Sequence, residues 1–315
     1  MNTVRRHFLQ YFSGAALAFL LVTTHLPASG GTPLSKPLKV VTTTAMLADA
    51  VQHVGGARVE VTALMGAGVD PHLYRQTHAD VTRLKRADLV IYHGLHLEAQ
   101  LASLMQDLAR HKPVVALAEA LPRQALLADE DHPEFYDPHV WMDPSLWQEV
   151  VLAARDTLID QDPAGRQVYT ARAATYINEI NTANTRITTL LHSIPAPDRV
   201  LVTAHDAFRY FGRAYGYEVL SIQGISTESE ASLHQIEQLV DTLVQRRIPA
   251  VFVESSVPEQ HVRALTEGAR ARHHHLIIGG ELYSDAMGRP GTPEGTYIGM
   301  IEHNARTISQ ALSRS

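Results

Sequence analysis

The chain has 315 residues, 45% of them hydrophobic and 19% charged, with a formal net charge of −6 and no cysteine. That balance is typical of a soluble globular protein and excludes a disordered chain or a bundle of membrane helices. No basic block supports a nucleic-acid partner, and without cysteine there are no disulfides, thiolate metal ligands or lipid-carrying N-terminal Cys. Histidine is abundant, with 18 copies against 2 Trp and 7 Phe, which suits metal binding although most of these side chains should pack or titrate ordinarily.

Arg5 and Arg6 precede an apolar run from Ala15 to Val22, followed by Pro27-Ala28-Ser29-Gly30. This is the basic, apolar and small-residue order of a cleaved signal peptide, placed at residues 1–30. An uncleaved anchor is the competing reading, but the run is short for a membrane span. The two arginines fit a twin-arginine export signal and an ordinary secretory signal equally well. With no Cys to carry a lipid, the mature protein is expected free in the periplasm.

From Leu38 onward, short β-branched runs alternate with amphipathic stretches. Predicted strands are Leu38–Thr42, Val59–Met65, Asp88–Tyr92 and Val114–Leu117, then Val200–Ala204, Glu218–Ile222, Ala250–Glu254 and His274–Ile278. Predicted helices between them include Met46–Val54, Glu98–Ala109, Leu233–Gln245 and Glu259–Ala271. The alternation implies βα units and a mostly parallel sheet of four strands in each half.

No strand signal falls between residues 118 and 199. Instead Tyr169, Ala173, Tyr176, Ile180, Ala183, Ile187, Leu190 and Ile194 form one helical stripe. Pro163 can open this helix, and Pro195 and Pro197 close it. About 30 residues give a rod of roughly 45 Å. A coiled-coil seam is the plainer reading, but the alanines favour packing against the chain's own lobes. The expected α/β architecture is an N-terminal lobe at 38–162, a rigid linking helix at 163–194 and a C-terminal lobe at 198–315. Ligands of parallel α/β sheets bind at the carboxyl ends of strands.

Four segments, each in a loop near a strand end or a helix start, stand out: Asp70-Pro71-His72-Leu73-Tyr74, Asp137-Pro138-His139-Val140-Trp141-Met142-Asp143-Pro144, Thr203-Ala204-His205-Asp206-Ala207-Phe208 and Leu282-Tyr283-Ser284-Asp285-Ala286-Met287-Gly288. Two precede the rod and two follow it. Three imidazoles and one carboxylate suit a divalent first-row metal, and four protein ligands suit holding an ion more than activating water on it. Spacing alone does not show that they converge. Asp143 and Asp206 read as caps and not ligands.

These segments resemble the signature segments of the zinc/manganese solute-binding proteins of ABC importers. Gly94-Leu95-His96-Leu97-Glu98, Gln223-Gly224-Ile225-Ser226, Val253-Glu254-Ser255-Ser256 and Gly295-Thr296-Tyr297-Ile298-Gly299-Met300 strengthen the resemblance, which covers roughly residues 38–312. It implies a metal between two lobes, held by His72, His139, His205 and Asp285. It also implies a monomer that delivers Zn²⁺ or Mn²⁺ to a membrane permease and is not an enzyme. Manganese-dedicated relatives usually carry Glu at the third position, where this chain has His205. Zinc-dedicated relatives usually carry a long His-rich loop where this chain has only Asp129-Glu130-Asp131-His132-Pro133-Glu134.

That turn reads as a solvated acidic turn, and His273-His274-His275 as a helix end leading into the last strand. Glu254 is expected either to orient a ligand His or to act as a cap or packing contact; His96 is expected to pack or to hydrogen-bond near the site. On capture, metal would neutralise Asp285 and displace histidine protons, while the rod restricts the lobes to a small tilt. A receptor for a metal chelate such as a siderophore is the main alternative and a metallohydrolase the lesser one. Neither the aromatic or Arg pocket of the first nor an HExxH pattern for the second is present.

Overall fold

The computed structural model describes residues 36–129 and 132–313. The predicted signal peptide and two residues of the acidic turn, 130 and 131, lie outside the described residues. Among the described residues, no helix is long and apolar enough to cross a membrane.

The first half alternates β1 (Leu38–Thr42), α1 (Ala45–Gly55), β2 (Val59–Ala63), α2 (His78–Arg86), β3 (Leu89–Tyr92), α3 (Ala102–Ala109) and β4 (Val114–Ala116). The strands form one parallel sheet in the order β2-β1-β3-β4. Short apolar strands such as Leu-Val-Ile-Tyr in β3 suit such a sheet because helices cover both faces. Helix α4 (Pro144–Gln161) follows, with Asp143 as its N-cap accepting from the Ser145 N–H and Pro144 in the first turn.

The rod is α5 (Arg166–Leu191), 26 residues preceded by a short 3₁₀ turn at Pro163–Gly165. Its buried stripe follows the expected residues to Ile187 and then passes to Leu191 in place of Leu190. A helix of 3.6 residues per turn drifts away from an alternating four-three pattern, so by the last turn the buried position has moved by one residue. The stripe packs on α1 and α4 of the first half and on a helix of the second, so its apolar face is covered within the chain. Tyr176 donates to Asp49 of α1 and stacks on His53, 4.0 Å between ring centroids.

The second half contains β5 (Val200–Thr203), α6 (Arg209–Tyr215), β6 (Glu218–Ser221), α7 (Leu233–Arg246), β7 (Ala250–Glu254), α8 (Gln260–Ala271), β8 (Ile277–Leu282) and α9 (Tyr297–Leu312). Its strands form two parallel pairs, β5-β6 and β7-β8. β5 lies beside β7, but among the described residues no backbone ladder joins them. A side chain makes the link at their carboxyl ends: the Glu254 carboxylate accepts the His205 N–H at 2.9 Å. Helix α9 returns to pack on both β8 and the rod.

The last strand begins three residues later than expected. His273 and His274 donate their N–H groups to Arg270 O and Ala269 O, each at 3.0 Å, with His273 at φ 61°. This is a Schellman closure of α8, which uses the histidines to satisfy helix carbonyls before the strand starts.

One continuous apolar core runs from β1 and α1 through α4 and the rod to α9, including Trp147, Tyr169, Ile180, Phe211 and Met300. Replacing Ile180, 1% exposed, by Ala should therefore lower stability by roughly 3 kcal/mol. Thr182→Ala on the exposed face should change it by less than about 0.5 kcal/mol. Chemical denaturation of both variants at two protein concentrations checks this, with no concentration dependence expected if the stripe packs within one chain.

Candidate metal centre

The four sequence-predicted residues converge. His72, His139, His205 and Asp285 each offer a donor atom, and these atoms all lie within 4.8 Å of one another. His72 follows β2, His139 lies in the loop before α4, His205 follows β5 and Asp285 follows β8. His72, His205 and Asp285 thus follow the carboxyl ends of strands in the first sheet and in both parallel pairs of the second half, the end where ligands of parallel α/β sheets bind.

Asp285 occupies the middle. Its Oδ2 lies 3.5 Å from His72 Nε2 and 3.2 Å from His205 Nε2, and its Oδ1 lies 3.3 Å from His139 Nε2. His72 Nε2 and His139 Nε2 are 3.4 Å apart. Donors of a tetrahedral Zn²⁺ at ~2.0–2.1 Å sit about 3.3 Å from one another, so these spacings suit one small cation. Neither Asp285 oxygen, nor His205 Nε2, has a well-formed hydrogen bond, although all three are buried. Buried lone pairs left this way are costly unless a cation meets them.

The imidazoles are oriented from behind. Asp137 Oδ1 lies 2.7 Å from His139 Nδ1 and also accepts the His139 N–H at 2.9 Å. Glu254 does the same for His205, with 2.5 Å to Nδ1 and 2.9 Å from the backbone N–H. A carboxylate on Nδ1 fixes that nitrogen as the donor and leaves Nε2 to face the site. Asp70 Oδ1 accepts the His72 N–H at 2.8 Å. Both Asp-Pro-His segments are thus local turns in which Asp caps the amide two residues on.

The electrostatics follow from this packing. Burial lowers the His72 pKa to about 3 and outweighs the attraction of Asp285, so this ring stays neutral. Burial also opposes charge on His139, but Asp285 and Asp137 prevail and raise it to about 9. His205 is raised well above its ordinary value against burial, by Glu254 and Asp285. Asp285 is held well below the carboxylate range: burial opposes its charge, and His205 and His139 more than compensate.

Other expectations resolve as follows. Glu254 orients His205. His96 stacks on Phe135, 4.4 Å between centroids, and is exposed. Asp206 lies 3.8 Å from Arg209 and does not cap α6, whose N-cap is Phe208 with no side-chain cap bond. His132 and the histidines 273–275 lie outside the four-donor cluster. The orienting carboxylates Asp70 and Asp137 were missed, although each sits two residues before its histidine in the repeated Asp-Pro-His signal. Glu98 was missed as well. Its carboxylate accepts from the Thr43 hydroxyl and the His93 and Gly94 amides, holding a turn in which Gly94, Leu95 and His96 all have positive φ. A Cβ on Gly94 would lie 2.9 Å from that of Ala116, which explains the glycine.

Comparison with known proteins agrees with this geometry. The family model described as ZnuA, zinc-uptake complex component A, periplasmic, matches residues 40–311, and the chain belongs to that family. Zinc-binding protein TroA of Treponema pallidum is 47% identical over 279 residues, 89% of this chain and 90% of the relative. The solved structure of periplasmic zinc-binding protein TroA from that organism matches at a TM-score of 0.85 and 46% identity, covering 88% of this chain and 99% of that one. Manganese-binding lipoprotein MntA of Bacillus subtilis is 42% identical over 303 residues, 95% of this chain and 99% of the relative.

Truncating Glu254 or Asp137 to Ala should weaken Zn²⁺ binding by about 10–100-fold, because the facing histidine loses its orientation and basicity. Competition against a chromophoric chelator measures this. Wild-type affinity in both variants would show that the carboxylates are dispensable.

Proposed function

We propose that the protein captures one Zn²⁺ or Mn²⁺ ion outside the cytoplasm and delivers it to the permease of an ABC importer. His72, His139 and His205, each through Nε2, and the Asp285 carboxylate are its ligands. The observation that carries this reading is the buried Asp285 carboxylate, ringed by three imidazole nitrogens at 3.2–3.5 Å. Four protein ligands complete a tetrahedral shell and leave no position for a reactive water, which favours carriage over catalysis. The names of the relatives, zinc-binding for one and manganese-binding for another, support the metal class. Siderophore recognition finds no support, since the converging groups are histidines and a carboxylate.

The working unit in this reading is a monomer. Its lobes are residues 38–162 and 198–315, joined by the helix of 163–194, after removal of residues 1–30. MntA is named a lipoprotein; this sequence contains no cysteine to carry a lipid, so we expect the exported form to lack one.

Adding Zn²⁺ or Mn²⁺ at about 100 times its Kd to chelator-stripped protein from residue 31 should stabilise it by about 2.7 kcal/mol. His139→Ala should lose most of this. A melting-temperature titration reads both, and the two midpoints rank the metals. No shift in the wild type, or an equal shift in the variant, would overturn the assignment.

Binding must also displace protons. With His139 titrating near 9 and His205 raised well above its ordinary value by Glu254 and Asp285, protons compete with metal in the neutral range. Apparent affinity should therefore rise with pH from 6 towards 9, by up to about tenfold per unit for each proton displaced. Calorimetry in buffers of different ionisation enthalpy would detect this release, and a flat pH dependence would count against these two ligands.

A further inference from the structure

The loop between β6 and α7 belongs to the second half of the chain, yet it covers one side of His72. A cavity of about 200 Å³ opens there, walled by Leu95, His96 and Phe135 on one side and Ile225, Ser226 and Glu228 of this loop on the other. Of the four metal donors only His72 lines it. His139 and His205 are fully buried and Asp285 is 2% exposed. An ion leaving through this cavity would part from His72 last.

Two side-chain bonds hold the loop to the first half. Gln100 Nε2 donates to Glu228 Oε1 at 2.6 Å, an exposed contact. The Thr227 hydroxyl donates to Asp70 Oδ2, also at 2.6 Å, and Thr227 is buried. The other oxygen of Asp70 accepts the His72 backbone N–H at 2.8 Å. One carboxylate therefore joins the loop across the cleft to the backbone of the donor that borders the cavity. Neither Thr227 nor Asp70 is among the four donors.

We propose that Thr227 is a positioning residue for metal retention. Its hydroxyl, acting through Asp70, clamps His72 in the liganding position and slows escape of the ion through the cavity. The proposal rests on the capture reading above. A hydrogen bond to a carboxylate is stronger than a neutral one, and this one spans the two halves. Any motion that separates them breaks the clamp and frees the cavity-side ligand, while Asp137 and Glu254 still hold the other two histidines.

The test is stopped-flow transfer of Zn²⁺ from loaded protein to excess chromophoric chelator. It compares wild type, Thr227→Val, Thr227→Ser, Asp70→Ala and the Asp70→Ala/Thr227→Val double variant. Thr227→Val should release Zn²⁺ about tenfold faster, from the loss of one charge-assisted hydrogen bond, with uptake changed by less than about twofold, as expected when affinity differences reside in the off-rate. Thr227→Ser should stay near wild type, which separates loss of the hydroxyl from a general defect in folding. In the Asp70→Ala background Thr227→Val should add nothing. Unchanged release in Thr227→Val, release from Thr227→Ser as fast as from Thr227→Val, or an undiminished effect without Asp70 would each overturn the clamp. Equal acceleration of uptake and release would also overturn it, because the loop would then be a gate with no hold on His72. Failure of wild type to load one Zn²⁺ per chain would instead overturn the capture reading itself.

Discussion

Burying the Asp285 carboxylate beyond the reach of solvent costs several kcal/mol unless opposing charge is placed close to it, and the surrounding elements are arranged to do that. Three imidazole edges from three separate loops meet its two oxygens. Protons on His139 and His205 can provide the opposing charge, as their raised pKa values indicate. A divalent ion does it better, because one small charge reaches all four donors at once. In the proposed reading the site is thus held together by protons before capture and by metal once protons leave. Capture becomes an exchange of cations around a fixed anion, with no need to create a pocket.

Such an exchange requires donors that keep their places, and the fold provides this at several levels. Strand polarity places His72, His205 and Asp285 after the carboxyl ends of strands in each half. Each histidine is then fixed by a carboxylate on its backbone amide, and two of them also on the ring. The lobes are tied below the site as well: Trp141 Nε1 donates to Ser284 O at 2.8 Å, and the Tyr297 hydroxyl to Trp141 O at 2.9 Å. With the rod packed on α1, α4 and α9, a wide hinge motion would tear a continuous core. In the proposed reading release comes from small tilts and from loops, and the cavity-side loop is joined to the first lobe by the Thr227–Asp70 and Gln100–Glu228 hydrogen bonds.

Much of this was legible in the sequence. Strand positions followed from β-branched runs between amphipathic stretches, and the rod from its stripe. The four donors stood out because each occupies a motif near a strand end or a helix start, and the resemblance to a known family implied their roles. What was not legible depended on the third dimension. The shift from Leu190 to Leu191 arises from helical drift accumulated over seven turns. The late start of β8 arises because the histidine triplet is consumed in closing α8. Asp206 looked like a cap by adjacency, but α6 starts three residues later. Convergence itself was invisible, since a separation of 213 residues between His72 and Asp285 says nothing about the 3.5 Å between their atoms.

Selectivity follows from the same constraint. Three imidazole nitrogens at 3.2–3.5 Å from the Asp285 carboxylate, each histidine held by a carboxylate on its backbone amide, favour a small tetrahedral ion, and the affinity order of divalent metals places Zn²⁺ above Mn²⁺ at such a mixed nitrogen–oxygen site. Mn²⁺ prefers more oxygen ligands and a higher coordination number, which Asp285 alone can approach only by engaging through both oxygens. Donors of this composition therefore favour Zn²⁺ over ions that prefer a larger shell. In the proposed reading, a site of this composition loads Mn²⁺ where free Zn²⁺ is scarce, so the metal supply outside the cell and the affinity order together set the cargo.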